Sequence, residues 1–310
     1  MRYLVVLGLA VLLAACQPPQ TWALRQRADA RLSRTTTLHL PYIVTPGDEL
    51  CGAASLATLL SFAGRPVDEK TLAAATYTPG RHGALSVEML AAARRQGLLA
   101  LQLQPEMADL LDQLQAGRPV LVLENRALSF WPRYHYAVIS AWDARQREWV
   151  LHSGAPHPER LPMPVFERIW MRAGGFAMVV IDPYHLPPDL PLEQLLRAAT
   201  DLERVQPAAA LAAYEQLALR APADARLPLL AGNALRELGR LKAAERSYRA
   251  SLALQTSWQA MNNLADLLQA LGRHPEALVW AQKAAAMAPQ SVATQTLHHL
   301  LREDAAAQAH

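Results

Sequence analysis

The sequence predicts an α+β domain followed by an all-α domain, and three observations support this prediction. The chain has 310 residues, of which 52% are hydrophobic and 18% charged, so two folded units with packed cores are expected. Between residues 39 and 183, helical periodicities come first and strand-like runs follow, an order typical of α+β folds. Beyond a proline-rich stretch, the chain is rich in Ala, Leu and Arg, and a helical motif recurs at spacings of 34 and 33 residues.

Charge and cysteine content exclude several classes of protein. The formal net charge is only +3, without a dense basic run or a nucleic-acid motif, so no nucleic-acid partner is expected. Two cysteines are too few for a disulfide-rich scaffold or a cysteine-based zinc site. No phosphate-binding loop, HExxH motif or paired-carboxylate pattern occurs, and the sequence predicts neither a cofactor nor a metal.

The N-terminus carries a short apolar segment that ends in small residues and a cysteine. The apolar run over 3–15 is too short to span a ~30 Å hydrocarbon core, which indicates a signal peptide. It ends in Leu13-Ala14-Ala15-Cys16, which resembles the lipobox of bacterial lipoproteins. The alternative is an ordinary cleavage site that happens to precede a cysteine.

The resemblance to a lipobox implies where the mature protein resides. Residues 1–15 are then a signal peptide, and Cys16 carries the lipid that anchors the chain to a membrane. Gln17 replaces the aspartate that retains many lipoproteins in the inner membrane, which implies the periplasmic face of the outer membrane. Residues 16–36 are polar, Arg-rich and without a clear period, and they are predicted to form a tether.

The domain predicted over 37–184 begins with helices and ends with strands. Apolar residues at helical spacing, followed by glycine, predict the helices, and alternating or continuous apolar runs predict the strands. The predicted helices cover 51–62, 69–75, 87–96 and 107–115, and the predicted strands cover 119–123, 135–142, 149–151 and 176–181.

A proline-rich linker is predicted over 185–191 and a helical repeat domain over 192–304. The repeat aligns Ala210, Ala244 and Ala277, which are followed four residues later by Tyr, Tyr and Ala. This pattern resembles tetratricopeptide repeats, whose stacked helix pairs bury a continuous core and present a concave face to a protein partner. The alternative is a non-repetitive helical bundle in which the alanine spacing arises by chance.

Cys51 is the candidate nucleophile because a predicted helix begins at this residue. The N–H groups and the positive dipole end of a helix N-terminus stabilise a thiolate. Gly52 lets the backbone approach closely and leaves room for a substrate carbonyl. If Cys16 carries lipid, Cys51 is the one remaining thiol in an oxidising compartment, which marks it as reactive. The alternative is a small, buried hydrophobic residue.

His135 is the candidate general base. It opens the alternating strand over 135–142, where its side chain lies beside apolar neighbours on one face. An imidazole close to a thiol takes the thiol proton and later donates it to the leaving amine. The alternative is a core histidine that is satisfied by a backbone carbonyl.

Three motifs, in this order, resemble the bacteriocin-processing (double-glycine) cysteine peptidases and their soluble relatives. They are Leu40-Pro41-Tyr42, Cys51-Gly52-Ala53-Ala54-Ser55 and His135-Tyr136-Ala137-Val138-Ile139. The resemblance implies a papain-like cysteine peptidase fold with Cys51 as the nucleophile and His135 as the base. A lipobox before such a domain and tetratricopeptide repeats after it form an arrangement familiar among bacterial lipoproteins.

Two positions depart from the pattern of this family. The family carries a glutamine five or six residues before the cysteine, where this chain has Pro46 and Thr45. Oxyanion binding then falls to the backbone N–H of Cys51 and to the Thr45 hydroxyl. The third triad residue of the family is an aspartate after the strand that follows the histidine strand. Ser153 occupies that place here, and Asp143 is the nearest carboxylate.

The predicted function is therefore that of a lipid-anchored periplasmic cysteine peptidase. It cleaves peptide bonds of a peptide or protein substrate by a Cys-His mechanism, and the repeat module binds a protein partner. Lipid on Cys16 holds it at the membrane. The loss of the glutamine and the aspartate leaves an alternative open, a catalytically impaired pseudo-peptidase that serves as a peptide-binding or envelope-assembly scaffold. A different thiol acyltransferase, transglutaminase-like or amidase, is a third possibility.

Overall fold

The computed structural model describes residues 18–41, 43–44, 50–78, 80 and 83–308. The chain separates into two compact units, and the main division falls between Ile181 and Asp182. The first unit combines a β-sheet with helices, and the second is helical, which confirms the predicted fold class.

The first unit is organised around a seven-stranded sheet. In chain order, the strands of this sheet and of a separate two-stranded hairpin are β1 (Thr36–Thr37), β2 (Tyr77–Thr78), β3 (Gly83–Ala84), β4 (Leu99–Gln102), β5 (Val120–Asn125), β6 (Tyr134–Asp143), β7 (Glu148–His152), β8 (Glu159–Pro162) and β9 (Ala177–Ile181). The sheet has the order β4-β9-β5-β6-β7-β8, and β1 also pairs with β6. Because β6 pairs antiparallel with both β5 and β7, residues from three strands meet along it.

Six helices of the first unit are described. They are α1 (Pro19–Gln26), α2 (Cys51–Phe62), α3 (Glu69–Thr76), α4 (Ser86–Arg95), α5 (Met107–Gln115) and α6 (Met163–Arg172). Helix α2 contacts β6 and is buried from Cys51 to Leu60. The observed bounds of α2 and α5 are those predicted from the sequence, and each helix ends two residues before a glycine.

Four fully buried aromatic side chains hold β6 and β7 against α6. Trp142 and Trp149 are paired across the two strands, with ring centroids 5.0 Å apart. Trp149 lies 5.4 Å from Phe166 on α6, and Phe166 stacks on Trp170 at 5.7 Å. Neither α6 nor β8 is predicted from the sequence. The proline-rich sequence around their junction favours a loop locally, but proline is well accepted in the first turn of a helix.

The segment predicted as a tether, 16–36, is folded against the domain in the part that the structure describes. Helix α1 is capped by a distant carboxylate: buried Glu167 accepts the backbone N–H of Gln20 at 2.8 Å and that of Thr21 at 2.6 Å. The side chain of Gln20 in turn accepts the N–H of Met107 and donates to the carbonyl of Pro105. The tether prediction was wrong here because contacts remote in sequence, and not a local period, order this helix.

The second unit is a stack of paired helices. They are α7 (Leu192–Glu203), α8 (Pro207–Arg220), α9 (Arg226–Glu237), α10 (Leu241–Leu254), α11 (Trp258–Ala270), α12 (His274–Met287) and α13 (Val292–Gln308). The repeated alanines Ala210, Ala244 and Ala277 are fully buried, as small residues between packed helices should be. At Gly232 on α9 the packing is closer still, since a Cβ there would lie 2.5 Å from the ring of Tyr248 on α10.

Within the described part of the chain, no helix combines the length and the apolar character needed to cross a bilayer. Cys16 and the predicted signal peptide lie outside the described residues.

Candidate active site

Cys51 is the first residue of α2, and its sulfur lies beside β6. The side chain is buried, and Sγ accepts a hydrogen bond from the backbone N–H of Tyr136 at 3.4 Å. Both this hydrogen bond and the N-terminal end of the helix favour the thiolate over the thiol. Burial of the sulfur acts in the opposite direction, because it disfavours the charged form.

The close approach of α2 to β6 depends on Gly52. A Cβ at this position would lie 3.1 Å from the Cβ of Ala84 and 3.3 Å from Cδ2 of Tyr136, tighter than ordinary contacts. The Tyr136 ring is itself held in place, because its hydroxyl donates to the carbonyl of Ala84 at 3.2 Å and lies 3.3 Å from the Ser86 hydroxyl. Burial raises the pKa of Tyr136 to about 12, so this phenol stays protonated and keeps donating.

His135 is buried and directly precedes Tyr136 on β6. The sulfur of Cys51 thus lies next to the peptide unit that joins His135 to Tyr136, and the topology brings the two predicted catalytic residues to the same place. An 84-residue separation in sequence is closed by the contact between α2 and β6. This juxtaposition supplies the two groups that thiol-based acyl transfer needs, a nucleophile and a base.

Glu124 is a site residue that is not predicted from the sequence. In the register of β5 and β6 it stands directly opposite His135, so the two side chains leave the sheet on the same face. Glu124 is fully buried, and its Oε2 accepts two hydrogen bonds from Arg126, at 2.9 and 2.8 Å. Among the described residues, its Oε1 has no hydrogen-bond partner. The sequence did hold a signal for Glu124, because this residue directly follows the apolar run over 120–123 and is therefore in a buried strand. Carboxylates are rarely buried, so one in such a strand marks a candidate site residue.

The environment of Glu124 favours its neutral form. Burial raises the pKa of this carboxyl to about 7, although the nearby charge and hydrogen bonds of Arg126 oppose the shift. Arg126 is shared, because its guanidinium also contacts Glu159 at 2.5 Å. A buried carboxyl that titrates near neutral pH beside a candidate base is a feature typical of functional sites.

The remaining predicted residues lie at different places. Ser153 is buried and directly follows β7. The last residue of β7, His152, pairs with Val138 on β6, so Ser153 lies beside the end of β6 that carries His135. Asp143 lies at the opposite end of β6, and its role as a triad residue is excluded by this position. Its carboxylate accepts two backbone N–H bonds of the adjacent turn and pairs with Arg160 at 2.5 Å.

The two predicted oxyanion donors are Thr45 and the backbone N–H of Cys51. Thr45, the predicted oxyanion hydroxyl, lies outside the described residues. The backbone N–H of Cys51 is at the first position of α2, where helical N–H groups are not used by the helix itself. No cluster of His, Cys, Asp and Glu suited to a metal ion occurs among the residues described.

Comparisons with known proteins identify both units. Residues 35–178 match the family described as Peptidase_C39 like family, and residues 259–288 match a tetratricopeptide repeat, which corresponds to α11 and α12. No curated protein shows a significant match to the chain.

Solved structures similar to each unit are found as well. One from Bacillus anthracis, named as a C39-like peptidase, is 19% identical, with a TM-score of 0.42; the match covers 48% of this chain and 98% of that one. The peptidase domain of Streptococcus ComA, a bi-functional ABC transporter, is 19% identical over 46% of this chain and 98% of its own, with a TM-score of 0.39. The Yersinia enterocolitica secretion chaperone SycD is 18% identical over 36% and 94%, with a TM-score of 0.34. The chain thus carries a domain of the Peptidase_C39 like family followed by a tetratricopeptide repeat.

Proposed function

We propose that the protein is a cysteine peptidase that is anchored by lipid on Cys16 and acts in the bacterial periplasm. The observation that carries the proposal is the hydrogen bond of Tyr136 N–H to the sulfur of Cys51, because it brings the thiol to the residue next to His135. The family of the domain supports the same chemistry. The lipobox sequence before Cys16 supports the anchor, with the outer membrane as the site and the periplasm as the compartment.

In the proposed reaction, the thiolate of Cys51 attacks the carbonyl carbon of a peptide bond and forms a tetrahedral intermediate. Its oxyanion is held by the backbone N–H of Cys51, with the Thr45 hydroxyl as the second donor. His135 gives its proton to the leaving amine as the C–N bond breaks. A water molecule, deprotonated by the same imidazole, then attacks the thioester, so the acid product is released and the thiol regenerated.

An orienting group for His135 is also part of the proposal. Ser153 offers a hydroxyl, which orients an imidazole but stabilises the imidazolium less than a carboxylate does. Glu124 supplies the missing carboxylate from the neighbouring strand, since it faces the same side of the sheet as His135. An imidazolium at His135 favours the charged form of a carboxyl on the same face of the sheet.

The test uses the full-length mature chain with Cys16→Ser, which leaves Cys51 as the single thiol. We expect a thiol electrophile to label Cys51, and labelling and peptide cleavage to disappear in Cys51→Ala. His135→Ala should lower both rates by about 10²-fold or more, because general acid–base groups contribute on that order. His157→Ala, which removes an exposed histidine, is the matched control. Equal labelling of the wild type and the His135 variant would contradict the peptidase proposal.

A second function, a pseudo-peptidase that binds peptides without cleaving them, is favoured by one observation. Ser153, and not a carboxylate, stands at the end of β7 where the family has its aspartate. In this case Cys51 stays unreactive towards electrophiles from pH 6 to 9, while peptides still bind. Retained binding without labelling or cleavage would therefore replace the first proposal with this one.

The repeat unit provides the protein-binding module of the proposal. Asn233 and Asn263 lie on successive first helices of the repeat pairs, and their side chains are linked by a 2.8 Å hydrogen bond. Tyr248 donates to the same Asn233 oxygen at 3.0 Å. Such a polar ladder holds neighbouring repeats in register and supports a rigid surface for a polypeptide partner.

A further inference from the structure

The loop between β5 and β6 presents unusually exposed aromatic side chains. We name residues 126–134 the aromatic hairpin. Phe130 is 83% exposed and Trp131 is 77% exposed, and Leu128 and Tyr134 are exposed as well. A soluble surface rarely displays a contiguous group of large apolar side chains unless it binds something.

The aromatic hairpin is a built structure. Its base is closed by the N–H of Arg126, which donates to the carbonyl of Arg133 at 2.9 Å. Asn125 is buried beneath it, and its side-chain oxygen accepts the N–H groups of Ala127 at 3.1 Å and Arg133 at 3.0 Å. These bonds hold the tip in a form that keeps its aromatic side chains in solvent.

The exposure of the aromatic hairpin favours a lipid bilayer over a peptide as its binding partner. Peptides and small ligands bind in grooves and pockets, where most of their surface is covered. Phe130 and Trp131 instead lie at the tip of the hairpin, where their exposure leaves little of either side chain covered by the domain. Tryptophan, phenylalanine and leucine are also the side chains that settle at the boundary between headgroups and acyl chains of a bilayer.

The aromatic hairpin lies at the same end of the domain as the start of the described chain. The amide of Gln20 on α1 contacts Met171 on α6 at 3.6 Å, and the next residue, Arg172, donates to the carbonyl of Ala127 in the hairpin. Two adjacent residues of α6 thus contact the start of the described chain and the aromatic hairpin. In the sequence, Gln17 alone separates Cys16 from Pro18, where the described chain begins.

An exposed cation accompanies these apolar side chains. Arg133 is exposed and flanks the tip of the hairpin. Arginines close to a bilayer are attracted by anionic headgroups, and each adds to the affinity. A lipid surface therefore complements both the apolar and the charged parts of this end of the domain.

We propose that the aromatic hairpin inserts its tip into the bilayer interface beside the lipid anchor, and so docks the peptidase-like domain on the membrane surface. The inference rests on the proposed anchor at Cys16, which supplies the membrane. The inference also deepens the proposed function. His135 directly follows the aromatic hairpin, so the end of β6 that carries this residue is held at the membrane surface. Substrates that emerge from or lie along the bilayer are favoured by this arrangement.

The test measures vesicle binding by the mature chain with Cys16→Ser, which carries no lipid. Vesicles that contain phosphatidylglycerol should bind it, and the double variant Phe130→Ser/Trp131→Ser should bind about tenfold or more weakly, because two large apolar side chains no longer leave water. Leu219→Ser, in the second unit, removes a side chain with a similar exposure of 78% and is the matched control. Its vesicle binding should be unchanged.

Two outcomes overturn the inference. Equal vesicle binding by the parent chain and the hairpin variant would exclude membrane insertion. Unchanged vesicle binding together with a raised KM for peptide cleavage would make the hairpin a peptide-binding surface instead. A separate experiment tests the proposed lipid anchor: if Cys16 is not lipidated, the wild-type chain in cells will carry no labelled palmitate. That result does not affect the vesicle measurement, because the vesicle experiment uses the Cys16→Ser chain.

Discussion

Glu124 on β5 and His135 on β6 stand directly opposite each other in an antiparallel register, and both side chains are buried. This pair connects the candidate base to a carboxyl that titrates in the neutral range, because burial raises the pKa of Glu124 to about 7. The pair also links the site to Arg126 and Glu159 and hence to the base of the aromatic hairpin.

Glu124→Gln should change how stability depends on pH. The pKa of Glu124 is raised in the folded state, from an ordinary 4.5 to about 7, so the folded protein binds this proton more tightly than the unfolded chain. Its contribution to stability is complete below about pH 4.5 and is lost as the pH rises through 7, an effect on the order of 3 kcal/mol. Urea unfolding at pH 5 and pH 8 should therefore show a smaller difference in Glu124→Gln.

Glu148→Gln on β7 is the control for this comparison, since that carboxylate is partly exposed and pairs with Arg160. It should keep the pH dependence of the wild type. A Glu124→Gln protein that loses stability between pH 5 and 8 as steeply as the wild type would show that another group titrates.

Gly52→Val should separate α2 from β6. Its side chain would occupy the space of the Ala84 methyl group and the Tyr136 ring, and overpacking of this kind costs about 1–3 kcal/mol. Because the N-terminus of α2 is displaced, the hydrogen bond from Tyr136 N–H to Cys51 should be lost and labelling of Cys51 should slow. Ala63→Val at the other end of α2 is the matched substitution, and normal labelling in Gly52→Val would contradict the proposed packing.

Glu167→Ala should release helix α1. Two backbone N–H groups, of Gln20 and Thr21, lose their buried acceptor, which costs about 1–3 kcal/mol. Hydrogen exchange at these two amides should accelerate more than exchange in β6, and the Tm should fall. Val165→Ala on the exposed side of α6 serves as the reference, and protected amides in Glu167→Ala would disprove the capping role.

Gly232→Ala tests the close contact in the repeat unit. Helix propensity alone would make alanine more stable than glycine by about 1 kcal/mol. The new Cβ would, however, lie 2.5 Å from the Tyr248 ring, so we expect a net loss of stability of about 1–3 kcal/mol. Thermal unfolding followed at a helical wavelength decides the sign, and an increase in Tm would mean that the ring moves away at little cost.

The site was predictable where a local signal marks the residue. Cys51 stands at the start of an apolar helix that ends shortly before a glycine, and His135 stands near the start of a strand, so each could be singled out from its own neighbours in sequence. Nearness in sequence was misleading for Asp143. It is eight residues from His135, but a strand is extended, so the two residues lie at opposite ends of β6.

By itself, the sequence determined the helix bounds of α2 and α5, the succession of an α+β domain and a repeat domain, and the two residues on which the candidate chemistry depends. These properties follow from periodicity and end signals within a few residues. Only the tertiary structure decided that Glu124 faces His135, that Glu167 caps a helix 147 positions away, and that Phe130 and Trp131 stay in solvent. Strand register and helix docking bring distant residues together, and no pattern in neighbouring residues records such pairings.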